Sequence, residues 1–79
     1  MTVQVRLFAA YREAAGAGEL EVPATPGLTV GQLWGQLLAR YPDLSQWPPS
    51  AAVNRSFAGL TASLADGDEV AFLPPVSGG

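Results

Sequence analysis

The chain has 79 residues, 48% of them apolar and 14% charged, with seven acids against four cations for a net charge of −3. That length suits one domain, and the balance offers none of the clustered basic surface a nucleic-acid binder uses. Cysteine and histidine are absent, which removes disulfides, thiolate nucleophiles, imidazole acid-base chemistry and the commonest metal ligand together. All four cations are arginine (Arg6, Arg12, Arg40, Arg55), so the sequence has no lysine. No charged leader with an apolar core opens the chain and no apolar stretch nears the length of a membrane span, so no membrane partner and a cytoplasmic location are expected.

Residues 2–8 alternate, with Val3, Val5 and Leu7 on one face and Gln4, Arg6 and Phe8 on the other, which predicts a half-buried strand. Residues 9–15 tolerate a short helix, and Gly16-Ala17-Gly18 breaks the chain before a second alternating run at 19–22. The pair reads as a long-looped hairpin, ended by Pro23 and Pro26-Gly27. Leu28-Thr29-Val30-Gly31-Gln32-Leu33 is a capping box in which Thr29 caps, Gln32 reaches back and Leu28 staples onto Leu33. Val30, Leu33, Trp34, Leu37, Leu38 and Tyr41 then recur at helical spacing, and Pro42 ends the helix. An aromatic stripe at that spacing is a core face rather than a ligand pocket. Residues 42–50, with Pro42, Pro48 and Pro49, read as a loop or short turn helix with Trp47 folded over the core edge. A third strand is expected at 51–57, a short fourth at 60–64, a tight turn at Asp66-Gly67-Asp68 and a last strand at 69–73.

One helix across a mixed sheet of four or five strands buries the single apolar stripe most simply, so the fold class is α+β. Hairpin, crossover helix and returning strands follow the order of the ubiquitin-like β-grasp, with the first and last strands parallel at the sheet centre. On the face away from the helix, Phe8 and Leu73 point outward from neighbouring strands and Phe57 joins them. An apolar patch of that kind suggests a protein partner.

The chain carries little other chemistry. Gly16-Ala17-Gly18-Glu19-Leu20-Glu21 lacks the third glycine of a dinucleotide loop and precedes a strand. Asp66, Asp68 and Glu69 are the one carboxylate cluster, and their spacing is that of a hairpin turn rather than an oxygen cage, so no metal is expected. Ser77 has no base to activate it. The sequence closes on Pro74-Pro75-Val76-Ser77-Gly78-Gly79. Glycine lacks a Cβ, so a diglycine end fits a groove too narrow for side chains and presents the Gly79 carboxylate as the candidate reactive group. Residues 1–73 are expected to form the domain and 74–79 a flexible functional tail.

The stretches Phe8-Ala9-Ala10-Tyr11-Arg12-Glu13-Ala14-Ala15-Gly16, Leu28-Thr29-Val30, Val53-Asn54 and Leu64 to Gly79 resemble the small sulfur-carrying subunit of molybdopterin synthase. The resemblance runs end to end and is most specific in the last sixteen residues, where Asp-Gly-Asp-Glu-Val leads into Phe-Leu-Pro-Pro-Val-Ser-Gly-Gly. It implies that an adenylyltransferase of the ubiquitin-activating type spends ATP to convert the Gly79 carboxylate into an acyl adenylate, which a sulfur donor turns into a thiocarboxylate. The tail, Pro74 to Gly78 with the loaded Gly79, then enters the large synthase subunit, expected in a heterotetramer. That subunit supplies the catalytic residues, and sulfur passes to cyclic pyranopterin monophosphate. The resemblance places the subunit interface at Phe8, Phe57 and Leu73 and gives this chain no bound cofactor. Three further readings stand beside it: a carrier for thiazole synthesis or tRNA thiolation, a ubiquitin-like protein modifier, and a binding module with an inert tail.

Overall fold

A computed structural model describes residues 1–46 and 48–75. Strand β1 spans Thr2–Leu7, helix α1 Ala9–Ala15, β2 Glu19–Pro23, helix α2 Val30–Arg40, then a 3₁₀ turn over Pro42–Gln46, β3 Ser50–Val53, β4 Ser56–Ala58 and β5 Glu69–Leu73. The five strands form one mixed sheet in the order β2-β1-β5-β3-β4. β1 and β5 are parallel at its centre, with Val5 opposite Val70 and Leu7 opposite Phe72, and the other pairings are antiparallel.

The capping box forms as the sequence predicts: Gln32 N donates to Thr29 Oγ1 at 3.2 Å and Thr29 N donates to Gln32 Oε1 at 2.9 Å. Two of the orphan donors at the start of α2 are thus satisfied by local side chains. Leu28 and Leu33, the stapling pair, are both buried. The stripe of α2 then packs on Val3, Val5, Leu7, Val70 and Phe72 to make one core. Trp34 is central to it, with ring centroids 5.1 Å from Tyr11 of α1 and 4.8 Å from Phe72 of β5. Tilted pairs at such spacing add to the area they bury, and they tie both helices to a central strand.

Two expectations need correcting. Residues 51–57 are not one strand: Asn54 and Arg55 both take positive φ, 50° and 72°, and fold the segment into the β3–β4 hairpin. Residues 60–64 are not a strand either. They serve as a backbone dock for the start of α2, with Val30 N donating to Ala62 O at 3.0 Å, Gly31 N to Leu60 O at 2.8 Å and Leu64 N to Leu28 O at 2.8 Å. The alternating Leu60, Ala62, Leu64 pattern is real, and Leu64 is buried, but the bonding partner is a helix entrance rather than a strand. The expected placement of Trp47 lies outside the described residues.

Candidate functional site

The sheet's second face follows from its registers. Side chains alternate along a strand, so with Val5, Leu7, Val70 and Phe72 turned to the helices, Arg6, Ala71 and Ala52 face the other way. Arg6 stands opposite Glu19 and Ala71, Ala71 opposite Ala52, and Ala52 opposite Phe57. One row therefore crosses all five strands as Glu19, Arg6, Ala71, Ala52, Phe57.

One row nearer the end of β5, Leu73 lies opposite Ser50, and the β1–β5 register continued by one residue sets Phe8 beside Leu73. Phe8 keeps extended backbone, φ −123° and ψ 155°, which preserves that parity. Phe57 is 84% exposed, Phe8 is exposed and Leu73 half-buried. The structure thus brings Phe8 and Leu73 together. It sets Phe57 on the same face but two strands from Leu73 and three from the β1 side where Phe8 stands, in the row of Ala71, with Ala52 between. The small Ala71 and Ala52 lie in register between these larger apolar side chains.

Pro74 and Pro75 follow β5 directly, half-buried and exposed in turn. Val76, Ser77, Gly78 and Gly79 lie outside the described residues. The root of the tail is therefore at the end of a central strand, at the margin of the apolar face.

Arg6 reaches toward Glu19 (3.7 Å) and sits 5.6 Å from the centre of the Phe8 ring. An ion pair this exposed contributes little to stability, and its effect here is to lay a cation along the edge of the face. Sequence reasoning missed the ground beside it, an open depression lined by Ala9, Arg12, Glu13, Gly16, Ala17 and Gly18. A Cβ on Gly18 would stand 3.1 Å from Arg12 Nε, so the absence of a side chain there lets Arg12 lie against the β1–β2 connection. Ala9 takes φ 51° at the entry to α1, a turn that no residue type at that position announces. Asp66 and Asp68 are both engaged as acceptors, Asp66 Oδ1 from Thr2 N at the start of β1 at 2.9 Å and Asp68 Oδ2 from Ala65 N within the turn at 2.8 Å. Among the described residues no helix is long and apolar enough to cross a membrane.

A central parallel β1–β5 pair in a mixed five-stranded sheet with the main helix packed across one face defines a ubiquitin-like β-grasp protein. The chain belongs to the ThiS family, whose pattern matches residues 5–79. It is 44% identical over 80 residues to the molybdopterin synthase sulfur carrier subunit of Mycobacterium tuberculosis, covering 98% of this chain and 96% of that protein. Its structure is similar to that of SAMP1 from Haloferax volcanii, with a TM-score of 0.87 at 30% identity and full coverage of both chains. It also resembles a chain in the complex of subunits 1 and 2 of molybdopterin-converting factor from Helicobacter pylori, with a TM-score of 0.69 at 28% identity, again over both full lengths.

Proposed function

We propose that this chain is the sulfur-carrier subunit of a molybdopterin synthase, with the Gly79 carboxyl as the carrying group. The observation that carries the reading is the end-to-end likeness to a named sulfur carrier subunit. The placement of the tail root beside an exposed apolar face supports it. In the proposed cycle an activating enzyme joins a Gly79 carboxylate oxygen to the α-phosphorus of ATP and pyrophosphate leaves. Hydrosulfide, or its equivalent released by a sulfur donor, attacks the acyl carbon, AMP departs with the electron pair, the sulfur's proton goes to water, and a thiocarboxylate remains. Its sulfur is anionic and nucleophilic at neutral pH and attacks the side chain of cyclic pyranopterin monophosphate; water then cleaves the acyl–sulfur bond, which leaves the sulfur on the pterin and returns the Gly79 carboxylate. One carboxyl holds one sulfur, so the dithiolene needs two loadings.

This chain's own part is delivery. Pro74 to Gly79 extended spans about 20 Å, enough to carry the carboxyl from the sheet into a partner's active site. The two prolines limit the freedom lost on insertion. The apolar face of Phe8, Leu73, Ala52 and Phe57 provides the docking surface and the large subunit the catalytic side chains; the complex of subunits 1 and 2 of molybdopterin-converting factor from Helicobacter pylori supports a large-subunit partner.

The likeness to SAMP1, a small archaeal modifier protein, favours a second reading in which the activated carboxyl forms an amide with a protein amine. Intact mass after incubation with ATP, the activating enzyme and a sulfur donor tests the carrier reading. Replacement of one oxygen by sulfur at the C-terminus is expected, followed by conversion of the pyranopterin when the large subunit is added. A chain that stays unsulfurated, or one joined instead to protein amines, moves the assignment to the modifier.

A further inference from the structure

An activated carboxyl is lost to any free amine that reaches it. The nitrogen bonds to the acyl carbon, AMP or a thiol leaves with the electron pair, and the amine releases a proton to water. A carrier whose surface held lysines would offer such amines to its own tail and to its copies. This sequence has no lysine, which leaves the α-amino group at Met1.

The fold keeps that amine away from the tail. β1 runs parallel to β5, Gln4 beside Glu69 and Leu7 beside Phe72, so the tail departs where β1 finishes and Met1 lies where it starts. Six residue steps separate Met1 from the level of Leu7, about 20 Å of strand. Pro74 to Gly79 reaches about the same distance only when fully extended and turned straight back. The far end is also tied down: Ala24 N donates to Met1 O at 2.7 Å, Thr2 N to Asp66 Oδ1 at 2.9 Å and Gly67 N to Thr2 O at 2.8 Å.

We infer that two features spare the activated terminus: the parallel β1–β5 pairing holds the chain's own Met1 amine away from it and disfavours cyclising, and the lysine-free sequence leaves copies no side-chain amine through which to link. The inference rests on the carrier reading for its purpose. The acyl group then persists until an external sulfur or amine takes it. Where that nucleophile is another protein's amine, the attached chain offers no lysine on which a second copy could be built.

The test uses the full chain prepared chemically as a C-terminal alkyl thioester, so no activating enzyme is involved. Two variants supply an amine within reach. Ser50→Lys places one on an exposed position opposite Leu73, at the root of the tail. A Gly/Ser extension of about a dozen residues at the N-terminus gives its amine a span of about 19 Å. All three are held at mildly alkaline pH and followed by intact mass.

The parent thioester is expected to end as hydrolysed monomer. Both variants are expected to lose the thiol to a cyclic amide, one water lighter than the free acid, at least about tenfold faster than the parent, since a tethered amine acts at millimolar effective concentration. Cyclisation or dimerisation of the parent at the rate of Ser50→Lys overturns the inference. So does failure of both variants to cyclise, because amine placement would then not be what protects the tail. Failure of the carrier reading appears separately, as a chain that takes no sulfur from the activating enzyme.

Discussion

Asn54 and Asp68 join the two turns at the far end of the sheet: Asn54 Nδ2 donates to Asp68 Oδ1 at 3.0 Å, and Asn54 Oδ1 accepts from Glu69 N at 3.0 Å. Ala65 N donates to the second Asp68 oxygen at 2.8 Å. The Ala65 amide first, and the Asn54 amide after it, hold the Asp68 carboxyl below its ordinary value of 3.8. A carboxyl lowered by folding adds stability above its unfolded pKa, and that stability is lost as pH falls from there through the folded value. The parent should therefore lose stability on acidification below about pH 4, in the range where Asp68 takes up its proton. Asp68→Ala should cost about 1 kcal/mol at neutral pH and show a shallower acid slope. Denaturant midpoints measured from pH 7 to pH 3 check this, and an unchanged slope in the variant excludes Asp68 as the sensitive group.

The same turn explains one place where the sequence misleads. Hairpins are announced by Asn-Gly or Asp-Gly because both central residues need positive φ. Here Arg55 occupies the glycine position at φ 72°, so residues 51–57 look like one strand. The dock at 60–64 misleads differently, since its alternation is that of a strand and only tertiary structure reveals a helix entrance as the partner. The capping box and the α2 stripe were legible because each is a local pattern fixed by residues a few positions apart. Strand parity sufficed to turn Phe8 and Leu73 to the open face. It left open that Phe57 is separated from them by Ala52, because the strand order β5-β3-β4 depends on the hidden turn. Arg12 against Gly18 carries no sequence signal, since the contact arises from the path of the β1–β2 connection.

Two glycines of α2 should respond oppositely to alanine. A Cβ on Gly35 meets nothing within 4 Å, so Gly35→Ala should gain about 0.5–1 kcal/mol from helix preference alone. A Cβ on Gly31 would lie 3.2 Å from Leu60 O, the oxygen to which Gly31 N donates. Gly31→Ala must displace that dock and should lose about 1 kcal/mol, the worth of one hydrogen bond. Thermal or urea unfolding of the pair reads the difference, and equal gains at both sites would mean that the 60–64 segment yields freely.

Phe57 tests the docking face without disturbing the fold. At 84% exposure it contributes little to the core, so Phe57→Ser should shift stability by no more than about 0.5 kcal/mol. Covering such a ring is worth about 1.5–3 kcal/mol, so affinity for the large synthase subunit should fall by about 10- to 100-fold. Leu60→Ser is the control: Leu60 is exposed too, at 51%, but lies beside the start of α2. It should leave the affinity unchanged. Titration calorimetry with the loaded or unloaded chain measures both, and equal losses from the two substitutions would place the docking surface elsewhere.

Pro74 and Pro75 test the stiffness of the spacer in the proposed cycle, which is separable from the docking face because Pro75 is exposed and both precede the terminal diglycine. Replacing both with glycine leaves the length of the tail unchanged and raises its freedom before insertion. At about 0.4–1 kcal/mol for each residue so loosened, the cost of ordering the tail in the activating enzyme should rise by about 1–2 kcal/mol. The adenylation reaction should then show a KM higher by about 5- to 30-fold with kcat nearly unchanged, because the lost term is one of positioning before chemistry. Domain stability should not follow it, since the tail lies beyond the last paired residue, Leu73. A fall in kcat with KM unchanged would instead assign the prolines a part in aligning the carboxyl with ATP.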